Sequence, residues 1–233
     1  MTEFLPEFKL LHPKSVDEAV AMHGAISGAD DSPKGGSNGA VRFVAGGTDL
    51  LVNMRRGLGD PETLISLNGI DEINDIVEND DGSVTIGAGV TLSALCNNNM
   101  IRERYPAVSH AAHEIAGPGH RATGTVGGNI CLDTRCVFYN QSLWWRQSNK
   151  YCLKYKGDTC HVAPKGKICH AAFSGDLAPV LLVMDAEVDV IGANGKRRIP
   201  LSALYSGDGL DHLTLEKHEL VAAIHIPKAP MPT

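Results

Sequence analysis

Six cysteines are spread through this 233-residue chain, and four of them, Cys136, Cys152, Cys160 and Cys169, follow one another at separations of 16, 8 and 9 residues. The segment around them has no sustained helical or strand periodicity, so a shared metal centre would explain how so long a loop stays folded. Structural zinc usually takes cysteine pairs with two residues between them, and no two of these stand at that spacing. Cys131 and Cys136 have the first step of a plant-type 2Fe-2S site, but Val137, Phe138 and Tyr139 follow where the next ligand is required. Four thiolates on separate turns suit a cubane 4Fe-4S cluster, whose corners are spaced well apart; zinc and free thiols are the alternatives. Phe138, Tyr139, Trp144 and Trp145 would shield such a centre from water and tune its potential, or else pack in the ordinary way or meet a subunit. His161 and His170 adjoin cysteines and are read as loop residues, and Cys96 as a buried core thiol.

A second chemistry lies in two glycine turns. The apolar run 41–45 predicts a buried strand that ends at Gly46-Gly47-Thr48-Asp49, after which residues 50–54 continue as helix. About 80 residues later comes Thr125-Val126-Gly127-Gly128-Asn129. Glycine lets a main chain approach an anion closely, and a strand-to-helix turn aims N–H donors at one point. Neither turn is a dinucleotide fingerprint or a Walker loop, so each alone reads equally as a tight connection. Together they could clasp the extended diphosphate of a dinucleotide from opposite sides. A chain of net charge -6 would depend on such uncharged donors.

These turns need elements to hold them. Strands are predicted at 8–11, 41–45, 62–67, 73–79, 83–88, 186–191, 196–200 and 220–226, with hairpin turns at Asp80-Asp81-Gly82 and Asn194-Gly195. Ser15-Val16-Asp17-Glu18 fits a capping box that opens a helix through about Met22. Thr91 caps a short helix containing Cys96. Another helix starts at Pro106, carries Ala111, Ala112, Ile115 and Ala116, and stops at Gly117-Pro118-Gly119. Ser174-Gly175-Asp176 offers a cap for a helix over 177–184, and 201–205 forms a short one. Residues 27–40, rich in Gly, Ser, Asp and Pro, predict a mobile surface loop.

Length allows one or two domains with a sizeable core. The acidic balance and the lack of a basic run argue against nucleic acid and against an anionic membrane surface. No 18-residue apolar run occurs, and Met1-Thr2-Glu3-Phe4 does not open a signal peptide, which points to the cytoplasm. Cysteines there are thiols or metal ligands rather than disulfides. No nucleophile, base and orienter stand at a spacing that suggests catalysis, so no catalytic residue is assigned.

Ala45-Gly46-Gly47-Thr48-Asp49-Leu50, Thr125-Val126-Gly127-Gly128-Asn129-Ile130 and Ser174-Gly175-Asp176-Leu177-Ala178-Pro179 resemble the three signature stretches of the FAD-binding subunit of the xanthine oxidase family of molybdenum hydroxylases. The four-cysteine stretch between the second and third resembles one branch, the beta subunit of 4-hydroxybenzoyl-CoA reductase. The resemblance implies an α+β fold: a vanillyl-alcohol-oxidase (PCMH) type FAD-binding domain of two α/β subdomains over 1–217, with a cysteine-rich loop insertion at about 131–173. Residues 218–233 would begin a C-terminal flavoprotein domain, which family members carry in full, and the strand at 220–226 would present an edge in need of a partner.

By the same resemblance, Phe43, Val44, Ala45, Gly46, Gly47, Thr48, Asp49 and Leu50, with Thr125, Val126, Gly127, Gly128 and Asn129, would wrap the FAD diphosphate and ribityl chain. Ile115 would lie beside the cofactor, Asp176 would hydrogen-bond it, and Leu220 would pack near the isoalloxazine. Cys136, Cys152, Cys160 and Cys169 would ligate a 4Fe-4S cluster, leaving Cys131 unligated. The implied function is electron transfer between a ferredoxin-like donor and partner subunits that carry a 2Fe-2S centre and the molybdenum cofactor, in an enzyme that removes the phenolic hydroxyl of 4-hydroxybenzoyl-CoA. The rivals are a zinc-stapled non-redox assembly subunit, a self-contained flavin oxidase, and the FAD subunit of a related aromatic, purine or aldehyde dehydrogenase.

Overall fold

The computed structural model describes residues 4–27 and 40–229. In chain order the elements are β1 (Lys9–Leu11), α1 (Val16–Ser27), β2 (Val41–Val44), α2 (Leu50–Arg55), β3 (Thr63–Ser66), β4 (Ile76–Glu78), β5 (Val84–Gly87), α3 (Leu92–Asn97), α4 (Asn99–Arg104), α5 (Pro106–Glu114), α6 (Pro118–Thr123), α7 (Val126–Ile130), α8 (Leu143–Ser148), α9 (Leu177–Val183), β6 (Glu187–Gly192), β7 (Gly195–Pro200) and β8 (Leu220–Ile226). Most of the loop predicted at 27–40 lies outside the described residues.

Two sheets divide the architecture. A three-stranded parallel sheet has the order β1-β3-β2, and every residue of its central strand β3 is buried, as parallel strands covered on both faces require. The second sheet is antiparallel with the order β4-β5-β8-β6-β7. Its main core joins Val84 and Ile86 of β5, Val188 and Val190 of β6, and Val221, Ile224 and Ile226 of β8 to Leu95, Val108, Val126, Ile130, Leu177 and Leu181 from the helices. A second core packs Val16, Ala19 and Val20 of α1 against Val41 and Ile65, and Leu220 and Ala222 of β8 belong to it.

Strand β8 therefore corrects one expectation: it presents no edge in need of a partner, because it is the middle strand of the larger sheet, paired with β5 on one side and β6 on the other. Its apolar residues are satisfied locally, by the helices over the main core and by α1.

Several local readings also shift. Ser15 Oγ accepts from Glu18 N at 3.1 Å, but Glu18 Oε2 accepts from Lys14 N at 2.6 Å, so the capping box closes one residue further out, and α1 runs on to Ser27. Pro118 does not stop a helix; it takes the first turn of α6, where the missing N–H costs nothing. The second glycine turn is itself the start of a helix, α7, capped by Thr125 Oγ1, which accepts from Gly128 N at 3.1 Å. Asp176 stands at the N-cap position of α9, but its side chain makes no capping bond, and Asn129 Oδ1 accepts from Leu177 N at 2.9 Å. The β6–β7 turn is Ala193-Asn194, with Gly195 opening β7 at φ +100°. The strand expected over 73–79 is shortened to β4, because Asp71–Ile73 forms a 3-10 turn. Among the described residues no helix is long and apolar enough to cross a membrane.

Candidate cofactor sites

A cleft of about 480 Å³ is walled by the end of β2 and the turn after it, by Ala88 and Gly89, by residues 124–125 and 127–129, and by the segment leading into β8. Phe43, Val44, Ala45, Gly46, Gly47, Thr48, Asp49, Leu50, Ile115, Thr125, Gly127, Gly128, Asn129, Asp176 and Leu220 all line it. Val126 does not: as an apolar first residue of α7 it points into the main core and is fully buried there.

The two glycine turns meet but play different parts. A Cβ on Gly46 would collide with the carbonyl oxygen of Thr123, and one on Gly127 would lie 2.7 Å from the Ala88 Cβ, so both glycines permit close approach of backbones. In the first turn Gly47 adopts φ +68°, and the N–H groups of Gly46, Gly47, Thr48 and Asp49 donate to no protein acceptor among the described residues. In the second turn Gly127 N donates to Ala88 O at 2.8 Å, Gly128 N to Thr125 Oγ1, and Asn129 N to Thr125 O at 2.9 Å. The expected two-sided clasp by N–H groups is thus one-sided. The bond to Ala88 and the Thr125 cap of α7 consume the donors of the second turn, and the first keeps the uncommitted donors that an anion needs.

Other walls were not legible in the sequence. Asp49 pairs with Arg135, whose Nη1 also donates to Asn53 Oδ1 at 2.9 Å, and Asn53 Nδ2 donates to Asp49 Oδ2 at 3.1 Å. His23 of α1 packs against Phe43 with ring centroids 4.7 Å apart and the rings tilted by 33°, and its Nδ1 lies 3.3 Å from that of His218. Burial and the neighbouring His218 lower its pKa to about 4. Cys131 also lines the cleft, and burial pushes its thiol up to about 12, which keeps it a neutral thiol.

The second site is a small cavity lined by Cys136, Cys152, Cys160 and Cys169, with Phe138, Tyr139, Leu153, Lys154 and His161. Its neck is an antiparallel bridge in which Arg135 N donates to Ala172 O at 2.7 Å and Ala172 N to Arg135 O at 2.8 Å. Between these two residues the chain is irregular apart from α8, and a small apolar cluster of Leu58, Tyr139 and Cys152 seats it. Arg146 of α8 is fully buried; it donates to Gly57 O at 2.6 Å and lies over the Tyr155 ring at 4.9 Å. Trp145 reaches Phe138, but Trp144 is 73% exposed and shields nothing, because α8 turns that face outward.

The donor set suits a sulfur-ligated centre. Burial works to raise the Cys160 thiol, yet the N–H groups of His170, Ala163 and Val162 outweigh it and leave the pKa below the ordinary value. Burial holds Cys152 and Cys169 above theirs, against N–H donors from residues 154 and 155 and from Ala171. Such N–H contacts to sulfur are one of the means by which proteins tune iron-sulfur centres. Among the described residues no three His, Cys, Asp or Glu side chains converge to grip a single ion. The thiols surround a space rather than meeting at a point.

Residues 6–229 match the family model described as FAD binding domain in molybdopterin dehydrogenase. The chain belongs to this family. FAD is accordingly the cofactor of the fold, and the cleft, with its uncommitted N–H donors, has a shape and chemistry that suit a diphosphate. The xanthine dehydrogenase FAD-binding subunit of Escherichia coli O157:H7 is 26% identical over 216 residues, covering 93% of this chain and 58% of the relative. The aldehyde oxidoreductase FAD-binding subunit PaoB of Escherichia coli K12 is 31% identical over 196 residues, covering 80% of this chain and 61% of the relative. Among solved structures, a carbon monoxide dehydrogenase from Hydrogenophaga pseudoflava that lacks the Mo-pyranopterin moiety superposes with a TM-score of 0.70 at 25% identity, over 98% of this chain and 61% of that one. The chain thus spans about three fifths of the length of the proteins it matches.

Proposed function

We propose that this chain is the flavin-bearing medium subunit of a molybdenum hydroxylase-type complex, of the branch that resembles the 4-hydroxybenzoyl-CoA reductase beta subunit. The uncommitted N–H groups of Gly46, Gly47, Thr48 and Asp49 hold the FAD diphosphate. Thr125, Gly127, Gly128 and Asn129 form the facing wall, Ile115 and Leu220 cover apolar parts of the cofactor, and Asp176 accepts from it. Cys136, Cys152, Cys160 and Cys169 ligate a 4Fe-4S cluster, and Cys131, held neutral, stays outside the ligand set. When bound, FAD and the cluster supply the electron-carrying chemistry that connects an external one-electron donor with partner subunits holding a 2Fe-2S centre and the molybdenum cofactor. The substrate, 4-hydroxybenzoyl-CoA, is reduced in a partner subunit, and the complex works in the cytoplasm, where thiols stay reduced.

The observation that carries this reading is the gathering of four widely spaced cysteines around one cavity, at the border of the flavin cleft. Charge supports the donor. Residues 131–173 hold seven Lys and Arg against two Asp in a chain of net charge -6, and Lys150, Lys156, Lys165 and Lys167 are exposed beside exposed Val137, Trp144, Val162 and Ile168. An acidic, ferredoxin-like carrier complements that face. Iron, acid-labile sulfide and flavin measured on anaerobically purified protein test the assignment: about four irons per flavin is the expected outcome. The names of the two bacterial relatives favour a second reading, the FAD subunit of a purine or aldehyde dehydrogenase with no cluster of its own. Flavin without iron would select it.

A further inference from the structure

The side chain of Lys154 is 2% exposed, and its Nζ donates to Asp133 Oδ1 at 2.8 Å, Thr134 Oγ1 at 2.6 Å and Gly209 O at 2.8 Å. All three donors of the ammonium are spent. Lys154 lines the cysteine cavity, whereas its partner Asp133 lines the flavin cleft, so one buried ion pair spans the wall between the two sites. The knot also gathers the cysteine-bearing segments. Asp133 and Thr134 precede Cys136, Lys154 follows Cys152, and Gly209 N donates to Cys169 O at 2.8 Å. If tying segments together were the sole need, an apolar side chain would do it without the cost of taking two charges out of water. A buried charge beside a redox centre has another effect, since net charge around an iron-sulfur site is among the determinants of its potential.

We propose that Lys154 is a positioning residue for electron transfer, whose buried ammonium stabilises an added electron at the four-cysteine site and is moderated by Asp133 on the flavin side. The inference rests on the four-thiolate reading above. In the step concerned, one electron from the external carrier adds one negative charge to the thiolate-bound centre; no covalent bond forms or breaks and no proton moves. The cation lowers the energy of that extra charge, and the low-polarity surroundings lessen the screening. Asp133 acts with the opposite sign.

The opposed signs make the test. Anaerobic redox titration of the whole chain, followed by iron-sulfur absorbance and electron paramagnetic resonance, compares wild type with Lys154→Met, Lys154→Arg and Asp133→Asn. At the ambient potential where wild type is half reduced, Lys154→Met is expected to raise the oxidised-to-reduced ratio about tenfold, equivalent to about 59 mV for one electron. Asp133→Asn is expected to lower that ratio, and Lys154→Arg to stay near wild type. A purely structural knot would move both neutral variants the same way or not at all; either result, with iron, sulfide and flavin contents unchanged, overturns the inference and leaves the four-thiolate reading intact. Wild-type protein without iron and labile sulfide would overturn both. If Lys154→Met does not fold, the shift in Asp133→Asn decides alone, and its absence sinks the proposal.

Discussion

The cleft between the glycine turns and the cysteine cavity meet across the Asp133–Lys154 pair, yet they are built by different means. The cleft is cut between regular elements: β2, α7 and β8 carry its walls, and each is fixed by an apolar core independent of any ligand. The cavity is enclosed by irregular chain, seated by Leu58, Tyr139 and Cys152 and by polar ties from Arg146 and Lys154. Regular elements satisfy their own backbone groups and bury continuous apolar faces, so the cleft is preformed. The irregular segment has little apolar area to offset the entropy of ordering it, and the proposed four-thiolate centre would supply what is missing.

The largest expected effect follows directly. If the proposed four-thiolate centre is bound, anaerobic removal of its iron by a chelator should raise the rate of tryptic cleavage at Lys150, Lys156, Lys165 and Lys167 at least about tenfold while flavin absorbance is retained, because local opening is governed by local contacts. Loss of flavin and loop order together would erase the contrast between the sites. Next in size is the collision built into the first turn. Gly46→Ala sets a methyl group against the Thr123 carbonyl and should cost about 2–3 kcal/mol, with loss of bound FAD, in urea unfolding and flavin content. Gly128→Ala meets only Thr125 Oγ1 at 3.0 Å and should change stability by less than about 1 kcal/mol with flavin retained. Equal damage from both would mean that the turns are equivalent after all.

The pH dependence sharpens the picture of the cleft. His23 titrates near 4 when folded against an ordinary 6.5, so the unfolded chain binds more protons between those values. Its contribution is complete above pH 6.5 and is lost as pH falls towards 4. Moving from pH 7 to pH 5 should therefore remove about 2 kcal/mol, and His23→Phe should flatten that slope in thermal melts. A slope unchanged in the variant would assign the dependence elsewhere. A smaller effect than that of His23 lies outside both sites. Asp189 is buried on β6 and pairs with Arg198, Lys196 and His225; burial opposes its ionisation, and these partners outweigh it and hold the carboxyl well below the usual carboxylate range. Asp189→Asn should cost about 1–2 kcal/mol at pH 7, discounted because Arg198 and Lys196 reach into solvent. Flavin and iron contents should not change, and a loss of either would mean that the larger sheet is coupled to the sites.

Hydrophobic period and turn chemistry made the strands, the caps at Ser15 and Thr91 and the short helix at Cys96 readable in the sequence, because each is decided within a few residues. The glycine turns could be found the same way. Their unequal roles could not, since the donors of the second turn are consumed by Ala88, some 40 residues away in sequence, and by the Thr125 cap. Asp176 looked like a cap by type and position, but Asn129 from α7 takes that bond. Strand β8 looked like an unpaired edge because its neighbours, β5 and β6, stand far from it along the chain and from each other.

By itself the sequence determined which residue types were available: six thiols, two glycine turns that allow close approach, and an order of strands and helices that matches a flavin-binding family. Only the tertiary structure decided which N–H groups remain free for an anion, which thiols share a cavity, and that a lysine and an aspartate 21 residues apart form a buried pair between the two sites. The reason is physical. Propensity and capping act over one turn of chain, whereas burial, pairing and charge proximity depend on which distant segments the packed core brings together.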